Sequence, residues 1–142
     1  MPQKKEIIIL PVVGKPYICN DKSADKLKDL QEIVEGYIEK VPPQFFHIHP
    51  MFINAEPRWK AVYTMLEELK NNQFTIYCNE NGINEELCAN MACINANPIF
   101  GVKPLMGMIF ITTSRKNIEK LGLDTILPSK AFLEEEDDSD SE

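Results

Sequence analysis

The amino-acid sequence predicts a single small α+β domain, made of an N-terminal β-hairpin, two main helices and a small mixed or antiparallel sheet. Three observations carry this expectation. Apolar, β-rich runs lie near both ends, "EIIILPVV" at 6–13 and "MIFITT" at 108–113. Two stretches between them, 23–41 and 57–69, repeat apolar residues at helical spacing. Asn, Gly and Pro punctuate the joints.

In chain order, residues 6–13 read as a buried strand in which Pro11 marks an edge or a bulge. Gly14 and Lys15 turn it back into "PYIC", which completes the hairpin. Ser23 offers an N-cap to a helix whose apolar stripe is Leu27, Leu30, Val34, Tyr37, Ile38 and Val41, and Pro42 and Pro43 stop it. Gly36 inside that helix costs about 1 kcal/mol relative to Ala, which points to close packing against a neighbour. Residues 42–57 are aromatic and proline-punctuated and read as a packed loop. Pro57 suits a first helical turn, and Trp59, Val62, Tyr63, Leu66 and Leu69 continue a second helix to Asn71 or Asn72. "FTIYC" at 74–78 alternates as a strand. Asn81-Gly82 then turns the chain, with positive φ expected at Gly82, and Asn84 caps a short helix buried through Leu87, Met91 and Ile94. Residues 98–113 end in a strand buried on both faces, and Ser114 caps a last short helix that Gly122 stops.

The 142 residues suffice to bury a core without disulfides or metal, and 44% hydrophobic with 26% charged residues is an ordinary globular balance. The formal charge of −7 equals the seven carboxylates of "EEEDDSDSE" at 134–142, so the remainder is neutral. The chain accordingly divides into an α+β domain over 1–133 and a disordered acidic tail over 134–142. That tail either solubilises the protein or tethers a basic partner, and Ser139 and Ser141 sit in acidic surroundings that suit acidophilic kinases. No stretch approaches the roughly 18 apolar residues of a membrane span, and the apolar part of "MPQKKEIIIL" is short for a secretory signal. A cytosolic protein with reduced thiols is therefore expected, neither secreted nor in contact with a membrane.

The stretch "CNENGINEELCANMAC" at 78–93 gathers three of the four cysteines, and His47 and His49 would complete a zinc ligand set by count. Spacing opposes that reading, because structural zinc sites use short pairs such as Cys-x2-Cys, whereas nine and four residues separate these cysteines. A thiol nucleophile at Cys78 or Cys88 needs a base and an electropositive setting, and "NEEL" beside Cys88 is acidic. No glycine-rich phosphate loop occurs, and a neutral body with a negative tail offers no general nucleic-acid face. No cofactor is expected. The stretch reads instead as a turn through Asn79, Asn81 and Gly82 that holds the fold together. If it carries a function, Asn79, Asn81 and Asn90 have the paired donors and acceptors to bind a partner's backbone.

Three blocks, "EIIILPVVGKPYI" closing on "VEGYIE", then "IYCNENGINEELCANMAC", then "GVKPLMGMIFITT", together resemble an uncharacterised family of small domains of unknown function found in bacteriophages, bacteria and large DNA viruses. The resembling positions are Val34, Gly36 and Glu39 in the first helix; Asn79, Glu80 and Gly82 in the turn; Asn90 in a short helix; and Gly107 opening the last strand. The segment 42–73 departs from the shorter connection of that family, and the acidic tail is extra. The resemblance implies a fold and a viral or phage setting, in host cytoplasm or virion, but no mechanism. The expected activity is non-enzymatic protein binding by an accessory protein, virion-associated or directed against host defence. The alternative is a small Cys/His-dependent enzyme.

Overall fold

The computed structural model describes residues 4–132; the acidic segment with its expected disorder, including Ser139 and Ser141, lies outside the described residues. These residues form β1 (Lys5–Leu10), β2 (Tyr17–Cys19), α1 (Leu27–Val34), β3 (Ile38–Val41), β4 (Phe46–Ile48), α2 (Pro50–Ala55), α3 (Pro57–Glu68), β5 (Phe74–Asn79), β6 (Ala89–Asn97), β7 (Gly101–Met106), β8 (Ile109–Ser114), α4 (Arg115–Lys120) and β9 (Ser129–Lys130). The class is α+β, as the sequence predicts. The single small sheet becomes two, however: a six-stranded sheet ordered β3-β5-β8-β1-β2-β9 and a three-stranded sheet ordered β4-β6-β7. The larger sheet is antiparallel except where β9 runs parallel to β2.

The predicted hairpin forms, with Ile8 opposite Ile18. Pro11 marks neither a sheet edge nor a bulge, because β1 lies inside the sheet and ends at Leu10, just before the residue that cannot donate. The last strand is central as predicted: β8 sits between β5 and β1, with Ile111 facing Ile76 on one side and Ile8 on the other. Strand alternation sends successive residues to opposite faces, and both faces are covered. Ile8, Leu10, Ile109 and Ile111 join Trp59, Val62 and Met65 of α3 in one core, which also takes in Phe46, Ile48, Ala92 and Cys93 of the smaller sheet. Ile7, Ile9 and Phe110 join Leu30, Ile33 and Val34 of α1 in the other.

The first helix is shorter than its apolar stripe suggested. It ends at Val34, where Glu35 turns into the left-handed region at φ 60°, and no side chain caps its start at Lys26. The remaining stripe residues Ile38 and Val41 belong to β3, which pairs with β5; Leu27 and Tyr37 are 58% and 67% exposed. Pairing to a strand distant in sequence overrode the local helical period. Gly36 does sit in a tight place, but beyond the helix: a Cβ there would lie 2.7 Å from Asn79 Nδ2. The predicted loop 42–57 is ordered as a 3-10 turn, β4 and α2. Helix α3 begins at Pro57 with the Glu56 carboxylate accepting from Arg58 N, and α4 begins where Ser114 Oγ accepts from Asn117 N, with Gly122 beyond its end at φ 69°.

Candidate functional site

The sequence draws attention to Asn79, Glu80, Asn81, Gly82 and Asn90, and the structure gives most of them architectural work. Asn79 is buried at the end of β5. Its Nδ2 donates to Val34 O (2.8 Å) and Glu85 Oε1 (2.9 Å), and its Oδ1 accepts from Asn81 N (2.7 Å). The amide thus closes an Asx turn and ties it to the end of α1. Glu80 N donates to Tyr37 O (2.9 Å), a second stitch to the same segment. One helical turn starts, with Glu85 N donating to Asn81 O (2.9 Å), and then breaks at Glu86, whose φ is 54°. Asn84 therefore caps no helix. Residues from Ala89 onward form a strand, with Met91 58% exposed instead of buried.

Gly82 does not take the positive φ expected of it. Glycine is required there by proximity, since a Cβ would stand 2.8 Å from Met106 Cβ and 3.3 Å from Met106 O. Gly107 is demanded by its own backbone, at φ 84°, with Leu87 Cδ1 2.8 Å from where a Cβ would stand, and its N–H donates to Cys88 O (2.7 Å). Asn90 lies in β6 at zero exposure, where the register shifts before Ile94. Its Nδ2 donates to Leu10 O (2.9 Å) and Gly107 O (3.2 Å), linking the smaller sheet to the end of β1, while its Oδ1 has no partner. Gly36, Asn79, Gly82, Asn90 and Gly107 thus belong to one latch between α1, β5 and the corner before β8. Of the asparagines expected to face a partner, only Asn81 is exposed; Asn79 and Asn90 are internal.

Three of the four thiols are buried. Burial pushes Cys78 up to about 12, with the nearby Glu39 carboxylate adding to the effect, and pushes Cys19 up to about 11 and Cys93 well above the ordinary range. His49 Nδ1 accepts from Met51 N (3.0 Å) and so caps α2. Among the described residues no group of three His, Cys, Asp or Glu side chains is placed to hold a metal ion. Only Cys88 is exposed. Native alkylation with iodoacetamide at pH 8 is expected to modify Cys88 and leave Cys19, Cys78 and Cys93 until the chain is denatured, as read by peptide mass spectrometry. Equal labelling of Cys78 or Cys93 in the native protein would contradict the packing of β5 and β6. The sign of the linkage follows: an unfolded thiol ionises near 9.0 while folded Cys19 and Cys78 hold their protons to about 11 and 12, so these groups withdraw stability as pH rises above 9.0.

The exposed chemistry lies elsewhere, at the tip of the β6–β7 hairpin. Asn97 pairs with Gly101, and Asn97 Oδ1 accepts from Ile99 N (2.7 Å) and Phe100 N (3.1 Å). Gly101 takes φ 89°, the left-handed residue that a three-residue hairpin loop requires. This closed loop presents Ile99 at 82% exposure, Phe100 at 72% and, at the start of the edge strand β7, Val102 at 72%. The signal was present in "NPIFGV", where Asn-Pro and Gly bracket two large apolar residues at a position that ordinarily carries polar ones.

No protein-family model, curated protein or solved structure matches the chain. Among the described residues no helix is long and apolar enough to cross a membrane.

Proposed function

We infer that this protein acts without catalysis, as a viral or phage accessory protein that binds another protein through the β6–β7 hairpin tip. The observation that carries this reading is the exposure of Ile99, Phe100 and Val102 on a loop fixed by Asn97 and Gly101. A rigid loop loses little conformational freedom on binding, and a large aromatic at its apex is the kind of side chain that anchors an interface. The partner that fits is a protein with an apolar groove able to take Phe100. The viral or phage setting rests on the motif resemblance and not on the tip.

The test uses the full chain as bait in infected cells, followed by purification of the captured protein and direct titration. Phe100→Asp and Ile99→Asp are expected to weaken that binary affinity by about 30-fold or more, which corresponds to the roughly 2 kcal/mol of an interface hot spot. Both positions face solvent, so the melting temperature should stay within about a degree or two of the native value. Affinity unchanged in both variants would remove the hairpin from the interface.

A further inference from the structure

We propose that a polar cleft, separate from the hairpin tip, binds the phosphate group of a small phosphorylated ligand. The cleft has a volume of about 420 Å³, within the range of small-molecule sites. It opens where β1 and β5 begin and β8 ends. Its floor is the strand-end ladder, with Lys5 opposite Ser114 and Thr75 opposite Thr112, and its wall is α4. Lys5, Lys116 and Lys120 all line it, and no aspartate or glutamate does.

Two features mark these lysines. Like several other lysines, Lys5, Lys116 and Lys120 make no ion pair among the described residues, but these three share one cleft whose lining holds no carboxylate. Lys116 and Lys120 are also spaced i,i+4 on one helix, where like charges disfavour the helix unless an anion lies between them. Residues 4–132 carry no net charge, so this positive group is local, and negative charge collects elsewhere. Glu80, Glu85 and Glu86 follow the far end of β5, about 17 Å along the strand at the usual rise per residue. Ammonium groups serve as point-charge phosphate ligands, and the Thr75 and Thr112 hydroxyls beside them supply further donors.

The frame around these groups is fixed. Thr113 Oγ1 donates to Gln73 O (2.9 Å) and accepts from Asn117 Nδ2 (3.1 Å), and Ser114 Oγ accepts from Asn117 N (3.1 Å). These bonds clamp α4 to β8 and to the entry of β5, setting where Lys116 and Lys120 stand. The site is therefore built before any ligand arrives.

The test is an NMR titration of the isotope-labelled full chain with inorganic phosphate, AMP, sulfate and a single-stranded oligonucleotide, at constant ionic strength. Saturable shifts are expected for the amides of Lys5, Thr75, Thr112 and residues 114–117, with phosphate or AMP bound at least tenfold tighter than sulfate. AMP tighter than phosphate would identify a nucleotide as the source, and equal affinities a simple phosphate. The double variant K116A/K120A should weaken binding at least tenfold. Lys103→Ala, on the edge of the other sheet, should leave it unchanged, and both variants should keep the native spectrum elsewhere. Non-saturating shifts, equal affinity for sulfate, or insensitivity to K116A/K120A would overturn the proposal. An oligonucleotide bound tenfold tighter than AMP would also overturn it, by assigning the cleft to a nucleic-acid backbone.

Discussion

Asn90→Asp is expected to destabilise the protein by about 3–5 kcal/mol at pH 7, although it exchanges only an amide for a carboxylate. The native Nδ2 donates to two carbonyl oxygens, of Leu10 and Gly107, at a site with no exposure to water. An ionised aspartate there has no proton to offer either oxygen and would bury its charge beside two acceptors. The folded variant therefore takes up a proton, and its Asp pKa rises above the unfolded value of about 3.9. The sign follows from linkage: the protonated folded form is favoured below that unfolded value, and stability falls as pH rises from there toward the raised folded pKa. Urea unfolding of Asn90→Asp should show a deficit that is large at pH 7 and markedly smaller at pH 4, each compared with the native chain at the same pH. A deficit independent of pH would show that the carboxylate reaches water and that the link between the two sheets is not closed.

Phe110→Ala is expected to cost about 3–5 kcal/mol, the usual range for emptying a large aromatic site in a core. Phe110 has zero exposure on the central strand, pairs with Ile9 on one side and Tyr77 on the other, and stacks on the Tyr77 ring at 4.9 Å between centroids. It faces α1, whose Leu30, Ile33 and Val34 complete that core. Leu27→Ala is the matched control, since Leu27 belonged to the predicted helical stripe yet is 58% exposed, and it should change stability by about 0.5 kcal/mol or less. Comparable losses from both substitutions, measured by thermal or urea unfolding, would show that Leu27 packs into the core and contradict the face that α1 buries.

What could be read in advance follows a physical line. Residues 6–10 and 108–113 were legible because both faces of their sheet are buried, leaving uninterrupted apolar runs, and the α4 boundaries were legible because Ser114 and Gly122 act locally. The strand at 38–41 was not, since its state is decided by pairing with β5, while its own residues continue the period of α1. The block 79–90 misled for a related reason. Leu87, Met91 and Ile94 have helical spacing, but the left-handed turn at Glu86 and the stitching of Asn90 to Leu10 and Gly107 are invisible without the partners. The importance of Gly36 and Gly82 was apparent from residue type, but the cause was not: each answers to a neighbour, Asn79 and Met106 respectively, and not to its own backbone.

The place of β8 has a consequence for how the chain is made. The strand that joins β3–β5 to β1–β2 is synthesised about 100 residues after β1 is complete. At the roughly 5–20 residues per second of translation, β1 waits about 5–20 s for its inner neighbour. Throughout that interval Ile7, Ile8, Ile9 and Leu10 present an unpaired apolar edge to the crowded surroundings of the ribosome. Local pairing with β2 shields only the opposite edge. The nascent protein thus exists as two half-sheets awaiting one strand, and its yield in a cell depends on how well that edge is kept from neighbouring chains until Ile109–Ser114 emerges.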